Sequence, residues 1–247
     1  MSDYMIYGTV DSRDYDLLLL SDEVAGAVPD YESISVPGRN GDLHRSNNRW
    51  FNRERTMVLY CPETAKTNLE SFIAALLAEP MYSKISSSIW PDFFMYGTFK
   101  GGTEPRKSVA YEAGRVEIIF DCKPQKFLVS GEEEIVINSG DETRTIENPT
   151  GFVAKPFLTI QFPSGVDLVE IDFPNASINS VGLHSSRYTS VTLDTETMDF
   201  IGYDGTNLNS YYSTNHKDIY IPAGRSGVAC PEAGVFTLRM KPRWWTL

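Results

Sequence analysis

The feature that most constrains this chain is residues 35–60, which read SVPGRNGDLHRSNNRWFNRERTMVLY. Pro37 and Gly38 favour a tight turn, because proline fixes φ and glycine tolerates positive φ. Asn40 and Gly41 are a preferred pair for a second sharp reversal between extended strands. The segment therefore predicts closely spaced turns within β structure.

The same segment carries an unusual density of arginine and aromatic side chains, which indicates a protein interface. Planar guanidinium groups and large rings are favoured there because they bind at low entropic cost. The candidate interface residues are Arg39, Asn40, Asp42, Arg45, Arg49, Trp50 and Arg53. For Arg39 and Asn40, a solvent-exposed hairpin turn is the alternative interpretation.

The amino-acid composition argues against several classes of function. A chain of 247 residues with 41% hydrophobic and 22% charged residues fits one large or two ordinary globular domains. A net charge of −11 argues against tight nucleic-acid binding, because such a surface repels phosphate. No apolar run approaches the length that crosses a bilayer, so we expect no membrane insertion.

Neither metal nor catalytic chemistry is evident from the residues. Cys61, Cys122 and Cys230 are widely spaced, which predicts reduced, mostly buried thiols rather than a disulfide framework. His44, His184 and His216 lie at no spacing typical of a zinc site. We therefore predict no catalytic residues, no metal and no cofactor.

One helix is predicted over residues 67–79. Thr67 and Glu70 match a capping box, and Pro80 ends the pattern. Its apolar stripe, at spacings that define one helix face, consists of Leu69, Phe72, Ile73, Leu76 and Leu77. We expect this face to pack on a sheet.

The rest of the chain is predicted to be β. Candidate strands lie at 4–10, 56–60, 96–99, 109–111, 115–120, 134–138, 157–162, 166–173, 190–194, 218–221 and 234–240. Residues 224–227 are predicted as a turn. The fold class is mainly β, with an N-terminal β-sandwich or sheet domain with one helix (1–128) and a C-terminal jelly-roll or galectin-like β-sandwich (129–247).

Several short motifs occur in an order that is similar to a known family. They are VPGRNGDL at 36–43, CKPQKF at 122–127, NPTGFVAKPFLTI at 148–160 and PRWW at 242–245. Together they resemble the distal tail proteins of long-tailed bacteriophages.

The resemblance implies a non-enzymatic structural protein of the virion tail tip, made in the host cytoplasm. Its N-terminal domains would form a homohexameric ring that joins the tail tube protein to the hub or fibre protein. The galectin-like domains would project outward. Alternatives from other classes are a carbohydrate-binding module that contacts the host wall, and a cell-wall hydrolase, for which no catalytic constellation is present.

A ring at the tail tip must let DNA pass without specific binding. The acidic total suggests a net negative inner surface, since a basic lining would bind the polyanion. In this hypothesis the arginines from Arg39 to Arg55 face mostly neighbouring protein, where they pair with carboxylates.

Overall fold

A computed structural model describes residues 3–62, 66–100, 114–162, 169–180, 188–215, 218–231 and 236–247. The chain is mainly β, as predicted, and the described residues contain one α-helix. It divides into two compact units, Met1–Lys126 with Leu247 and Phe127–Thr246. That each unit folds by itself stays a prediction.

Seven of the nine described strands of the first unit form one antiparallel sheet. The nine strands are β1 Met5–Tyr7, β2 Val10–Asp11, β3 Leu18–Val24, β4 Pro29–Ile34, β5 Leu43–Trp50, β6 Arg53–Tyr60, β7 Ser83–Ser87, β8 Phe93–Phe99 and β9 Arg115–Cys122. The sheet order is β2-β1-β7-β8-β9-β6-β3. Strands β4 and β5 pair only with each other, as a separate hairpin.

Helix α1, Lys66–Ala78, completes the core of this unit. Leu69, Phe72 and Leu76 are buried in the same apolar cluster as the inward side chains of the sheet. The helix matches the predicted range to within one residue at each end. The capping box of Thr67 and Glu70 stays a prediction, because residues 63–65 lie outside the described part of the chain. Leu77 is 61% exposed and lies outside the buried stripe.

Local backbone geometry explains where strands begin and end. The predicted strand at 4–10 is split in two, because Gly8 adopts a φ of 58° between β1 and β2. Asp16 is also left-handed and ends a 3-10 turn, Ser12–Tyr15, that connects β2 to β3. The predicted strand at 109–111 lies outside the described residues.

The second unit is a β-sandwich. The described strands of this unit are β10 Lys126–Leu128 (which begins at the unit boundary), β11 Ile135–Asn138, β12 Arg144–Asn148, β13 Phe157–Gln161, β14 Glu170–Asp172, β15 Ser177–Ser180, β16 Ser190–Asp194, β17 Asp199–Gly202, β18 Tyr212–Thr214, β19 Gly224–Val228, β20 Thr237–Lys241 and β21 Trp245–Thr246. Strands β10 and β21 pair with each other and lie outside the three sheets of the sandwich. The sheets β11-β20-β13-β16-β17, β12-β19 and β14-β15-β18 bury their inner faces in one apolar core.

Two predictions in this unit are wrong. Residues 224–227 are strand β19, which pairs with β12 along its whole length, so long-range pairing overrides the turn pattern of the glycines. Residues 218–221 form no strand; Ile221 makes an isolated bridge with Ala154. Parts of the predicted strands 166–173 and 234–240 lie outside the described residues.

All three cysteines are buried and free, as predicted. Burial raises the pKa of the Cys122 and Cys230 thiols to about 12. None of the described helices is long and apolar enough to cross a membrane.

Candidate subunit interface

The hairpin of residues 29–50 extends the β3–β6 pair beyond the end of the sheet. Val24 pairs with Arg55, and two backbone hydrogen bonds (Ala25 N to Glu54 O, and Phe51 N to Val28 O, each 2.9 Å) carry the pairing into β4 and β5. The hairpin therefore leaves the seven-stranded sheet at the Val24 end of β3.

The tip of the hairpin contains the turns that the sequence predicts. Pro37 and Gly38 form a turn, in which the Arg39 amide donates to the carbonyl of Val36 at 3.2 Å. Gly38 and Gly41 both have a φ of 79°, a conformation that side chains disfavour. These glycines allow the chain to reverse between Ile34 and Leu43.

Almost all of this hairpin is exposed. Every residue of β5 is exposed, and in β4 only Asp30 is buried. Large apolar side chains along the ribbon are between 37% and 54% exposed: Val28, Tyr31, Ile34, Leu43, Trp50 and Phe51. Because an isolated two-stranded hairpin is at best marginally stable in water, such a surface is typical of one that a partner covers.

Internal contacts nevertheless give the hairpin a defined shape. Asp30 accepts hydrogen bonds from the Asn47 amide at 2.9 Å and from Arg49 Nε. These bonds, that of Asn47 first, lower the pKa of the Asp30 carboxyl. The Tyr31 ring stacks on His44 at 4.4 Å between centroids. The hairpin is therefore held by polar contacts near its base and by ring stacking farther out.

The structure places six of the seven candidate residues on this hairpin. Arg39, Asn40 and Asp42 lie at or beside its tip, where Asp42 accepts from the Ser33 hydroxyl at 2.7 Å. Arg45, Arg49 and Trp50 lie along β5. Among the described residues, Arg39 and Arg45 have no ion-pair partner.

Arg53, the seventh candidate, lies elsewhere. It is the first residue of β6 and is only 5% exposed. Within the described residues, its buried Nε and Nη2 atoms have no hydrogen-bond partner. Burial lowers the pKa of its guanidinium group. In the monomer, Arg53 is therefore a cation in the sheet interior.

Arg55 is an exception to the hypothesis that the arginines from Arg39 to Arg55 face mostly neighbouring protein. It is fully buried and pairs with Asp22 of β3 through Nε at 2.9 Å and Nη2 at 2.6 Å. Its Nη1 donates to the carbonyl of Ile85 at 3.1 Å, and Ser87 donates to Asp22 at 2.5 Å. Sequence patterns alone did not reveal Asp22, because its partner is distant along the chain.

The described residues offer little support for other chemistry. They contain no group of three or more His, Cys, Asp or Glu side chains placed to hold a metal ion. Two adjacent aromatic pairs, Tyr211–Tyr212 and Trp244–Trp245, could stack on sugars, but Tyr212 and Trp244 are buried in the core of the second unit. Tyr212 stacks on Phe200 with a 4.2 Å centroid distance, so one face of its ring is already covered.

Comparisons with protein-family models and with curated proteins find no match. Among solved structures, the chain is similar to the Dit protein of phage SPP1, with a TM-score of 0.68 and 16% identity over 100% of both chains. That protein is described as a paradigm of the hub adsorption apparatus in phages that infect Gram-positive bacteria.

Two further matches are to chains of the phage P2 baseplate in its activated conformation. The form with Ca gives a TM-score of 0.56 at 11% identity, and the form with Sr gives 0.54 at 10%; each covers 97% of both chains. These likenesses show a shared fold. They confirm, at the level of the fold, the resemblance to distal tail proteins that the motifs indicate.

Proposed function

We propose that this chain is a structural, non-enzymatic component of a phage tail tip and acts as a homohexameric ring between the tail tube protein and the hub or fibre protein. The observation that carries the proposal is the fold that it shares with SPP1 Dit over the whole length of both chains. Its working location is then the virion.

The hairpin is the proposed contact between subunits. An exposed ribbon with apolar and guanidinium side chains has the composition that interface centres favour. Arg39 and Arg45 stand free of ion pairs among the described residues, so each can form a bidentate pair with a carboxylate of another chain. The residues proposed at the contact are Arg39, Asn40, Asp42, Arg45, Arg49 and Trp50.

The test is the mass of the full chain in solution. By sedimentation or native mass spectrometry, we expect a species of about 166 kDa, six times the 27.7 kDa of one chain. A chain that stays monomeric at every concentration, with or without purified tail tube protein, would refute the ring.

Alanine variants test which surface holds the ring together. Arg39→Ala and Arg45→Ala should each weaken assembly by about tenfold or more, because arginines at interface centres often dominate binding. Their thermal unfolding as monomers should be nearly unchanged, since both residues are exposed. Arg144→Ala, an exposed arginine of the second unit, is the matched control. Rings that survive both hairpin variants would rule out this seam.

A carbohydrate-binding module remains the alternative from another class. The second unit has a cavity of about 270 Å³ lined by Met198, Phe200, Asn209, Tyr212 and Thr214. However, the Asn209 side chain is occupied, since its Oδ1 accepts from the Phe200 amide at 2.7 Å. Binding of host-wall glycans by the full chain, lost in Asn209→Ala, would favour this alternative.

A further inference from the structure

A second feature of the first unit is an acidic cavity of about 560 Å³. It lies between β2, the 3-10 turn Ser12–Tyr15 and the end of α1. Three carboxylates line it, those of Asp11, Asp14 and Glu79. Its apolar lining includes Val10, Ala75 and Pro80. We call it the acidic groove.

Hydrogen bonds lower the pKa of two of the three carboxylates that line the acidic groove. Arg13 donates to Asp11 and lowers the pKa of that carboxyl. Thr9 donates to Glu79 through its amide at 2.9 Å and through its hydroxyl, which lowers the pKa of Glu79. Asp14 is exposed and, among the described residues, has no ion-pair partner. The groove thus offers a free carboxylate beside an apolar floor.

One face of the hairpin carries two apolar side chains, an arginine and a glutamate. Ile34 lies directly opposite Leu43, and Glu32 lies opposite Arg45, so these four side chains share a face of the ribbon. Over residues 29–50, three arginines balance three carboxylates, whereas the whole chain has a net charge of −11. The hairpin is therefore neutral overall, and the net charge of −11 lies in the rest of the chain.

A chain cannot place its own hairpin in its own acidic groove. The 3-10 turn lies at the Leu18 end of β3, whereas the hairpin leaves from the Val24 end. Seven strand residues separate these ends by about 20 Å, and β4 carries the tip about 20 Å farther. The hairpin and the acidic groove therefore lie at opposite ends of β3 and cannot contact each other within one chain.

We infer that the hairpin of one copy docks in the acidic groove of the next copy, with Ile34 and Leu43 on the apolar floor and Arg45 paired with Asp14. This inference rests on the proposed ring and names the surface that receives the hairpin. Contacts between two different patches are head-to-tail and close into a ring when the rotation allows it.

Charge reversal tests the pairing. Arg45→Glu places a carboxylate against the groove, and Asp14→Arg places a guanidinium against the hairpin, so each variant alone should lose assembly by at least about tenfold. The double variant, with both charges exchanged, should recover assembly. Arg144→Glu, in the second unit, controls for the change in net charge.

Mixing the two single variants gives the sharper result. In a head-to-tail ring, an Arg45→Glu hairpin meets an Asp14→Arg groove, and the next seam is wild type. An equimolar mixture should therefore form alternating rings although neither variant assembles alone, and native mass spectrometry would detect three copies of each. Circular dichroism of each variant checks that it is folded.

The outcomes separate this inference from the proposed function. A wild-type ring that is unaffected by either reversal overturns the docking and leaves the ring intact. Loss of assembly in both variants with no recovery in the double variant or the mixture also overturns the pairing of Arg45 with Asp14. A wild-type chain that never assembles overturns both proposals.

Discussion

Two halves of one arginine-rich segment behave in opposite ways. In the hairpin, the Arg49 side chain is 69% exposed, whereas the side chain of its partner Asp30 is 9% exposed. A few residues later, in β6, the Arg55 side chain and its partner Asp22 are both 0% exposed. The residue type is the same, but β6 lies between two strands of the large sheet and the hairpin does not. Neighbouring strands therefore decide whether an arginine stabilises the monomer or is available to a partner.

The largest expected effect comes from breaking the buried pair. Asp22→Ala leaves the Arg55 guanidinium buried without its carboxylate, so the free energy of unfolding should fall by about 3–5 kcal/mol. Chemical denaturation of the full chain measures it. Arg49→Ala is the matched control in the hairpin and should change the unfolding free energy far less, because the Arg49 end of that pair is exposed to solvent, which screens the interaction. Equal effects of the two variants would contradict the proposed difference between the buried pair in the sheet and the pair in the hairpin.

Arg53 should give a smaller effect of opposite sign. Its Nε and Nη2 atoms are buried without partners among the described residues, which costs the monomer free energy. Arg53→Met keeps most of the length and removes these donors, so the unfolding free energy should rise by about 1 kcal/mol or more. Arg55→Met leaves the buried Asp22 carboxylate without its partner, so this variant should lower the free energy of unfolding.

Chemical denaturation of the Arg53→Met and Arg55→Met variants measures both changes in the free energy of unfolding. If Arg53→Met instead lowers the stability of the isolated monomer, its guanidinium has a partner outside the described residues. If the loss appears only in the assembled ring, that partner belongs to another subunit.

The smallest effect concerns the pH response of the hairpin. The pKa of Asp30 is lowered in the folded chain, so its contribution is present above the ordinary aspartate pKa of about 4 and is lost as the pH falls through the folded value. We expect the hairpin to loosen at low pH before the sheet does. Carboxyl NMR titration and amide exchange measure both events.

Variants of the two donors sharpen that result. Asn47→Ala and Arg49→Ala should each raise the pKa of Asp30, because each removes a hydrogen bond that lowers it. An Asp30 pKa that neither variant changes would contradict the contacts described at the base of the hairpin.

The sequence predicts the elements that depend on local rules. Pro37–Gly38 and Asn40–Gly41 predict the hairpin tip because proline and glycine restrict the backbone at those positions themselves. The periodicity of Leu69, Phe72 and Leu76 predicts the helix for the same reason. Both ends of the predicted helix differ from those of α1 by one residue, since helix boundaries depend on weak local contacts.

What the sequence does not predict depends on distant pairing. Arg49 and Arg55 look alike along the chain, and only the register of β3 on β6 brings Asp22 to Arg55. Strand β19 contains two glycines and reads as a turn, but it pairs with β12, about eighty residues earlier. The acidic groove likewise combines residues of β2 and α1 that are far apart in sequence.

The buried thiols have a practical chemical consequence. A pKa of about 12 keeps Cys122 and Cys230 protonated at neutral pH, and Cys61 is also buried, so alkylating reagents that need a thiolate react slowly with all three. A cysteine introduced at an exposed residue outside the proposed contact, for example Glu142→Cys in the second unit, would then take a maleimide fluorophore selectively in the otherwise native chain. One labelled position on each subunit would let energy transfer between dyes count and follow subunits as they associate.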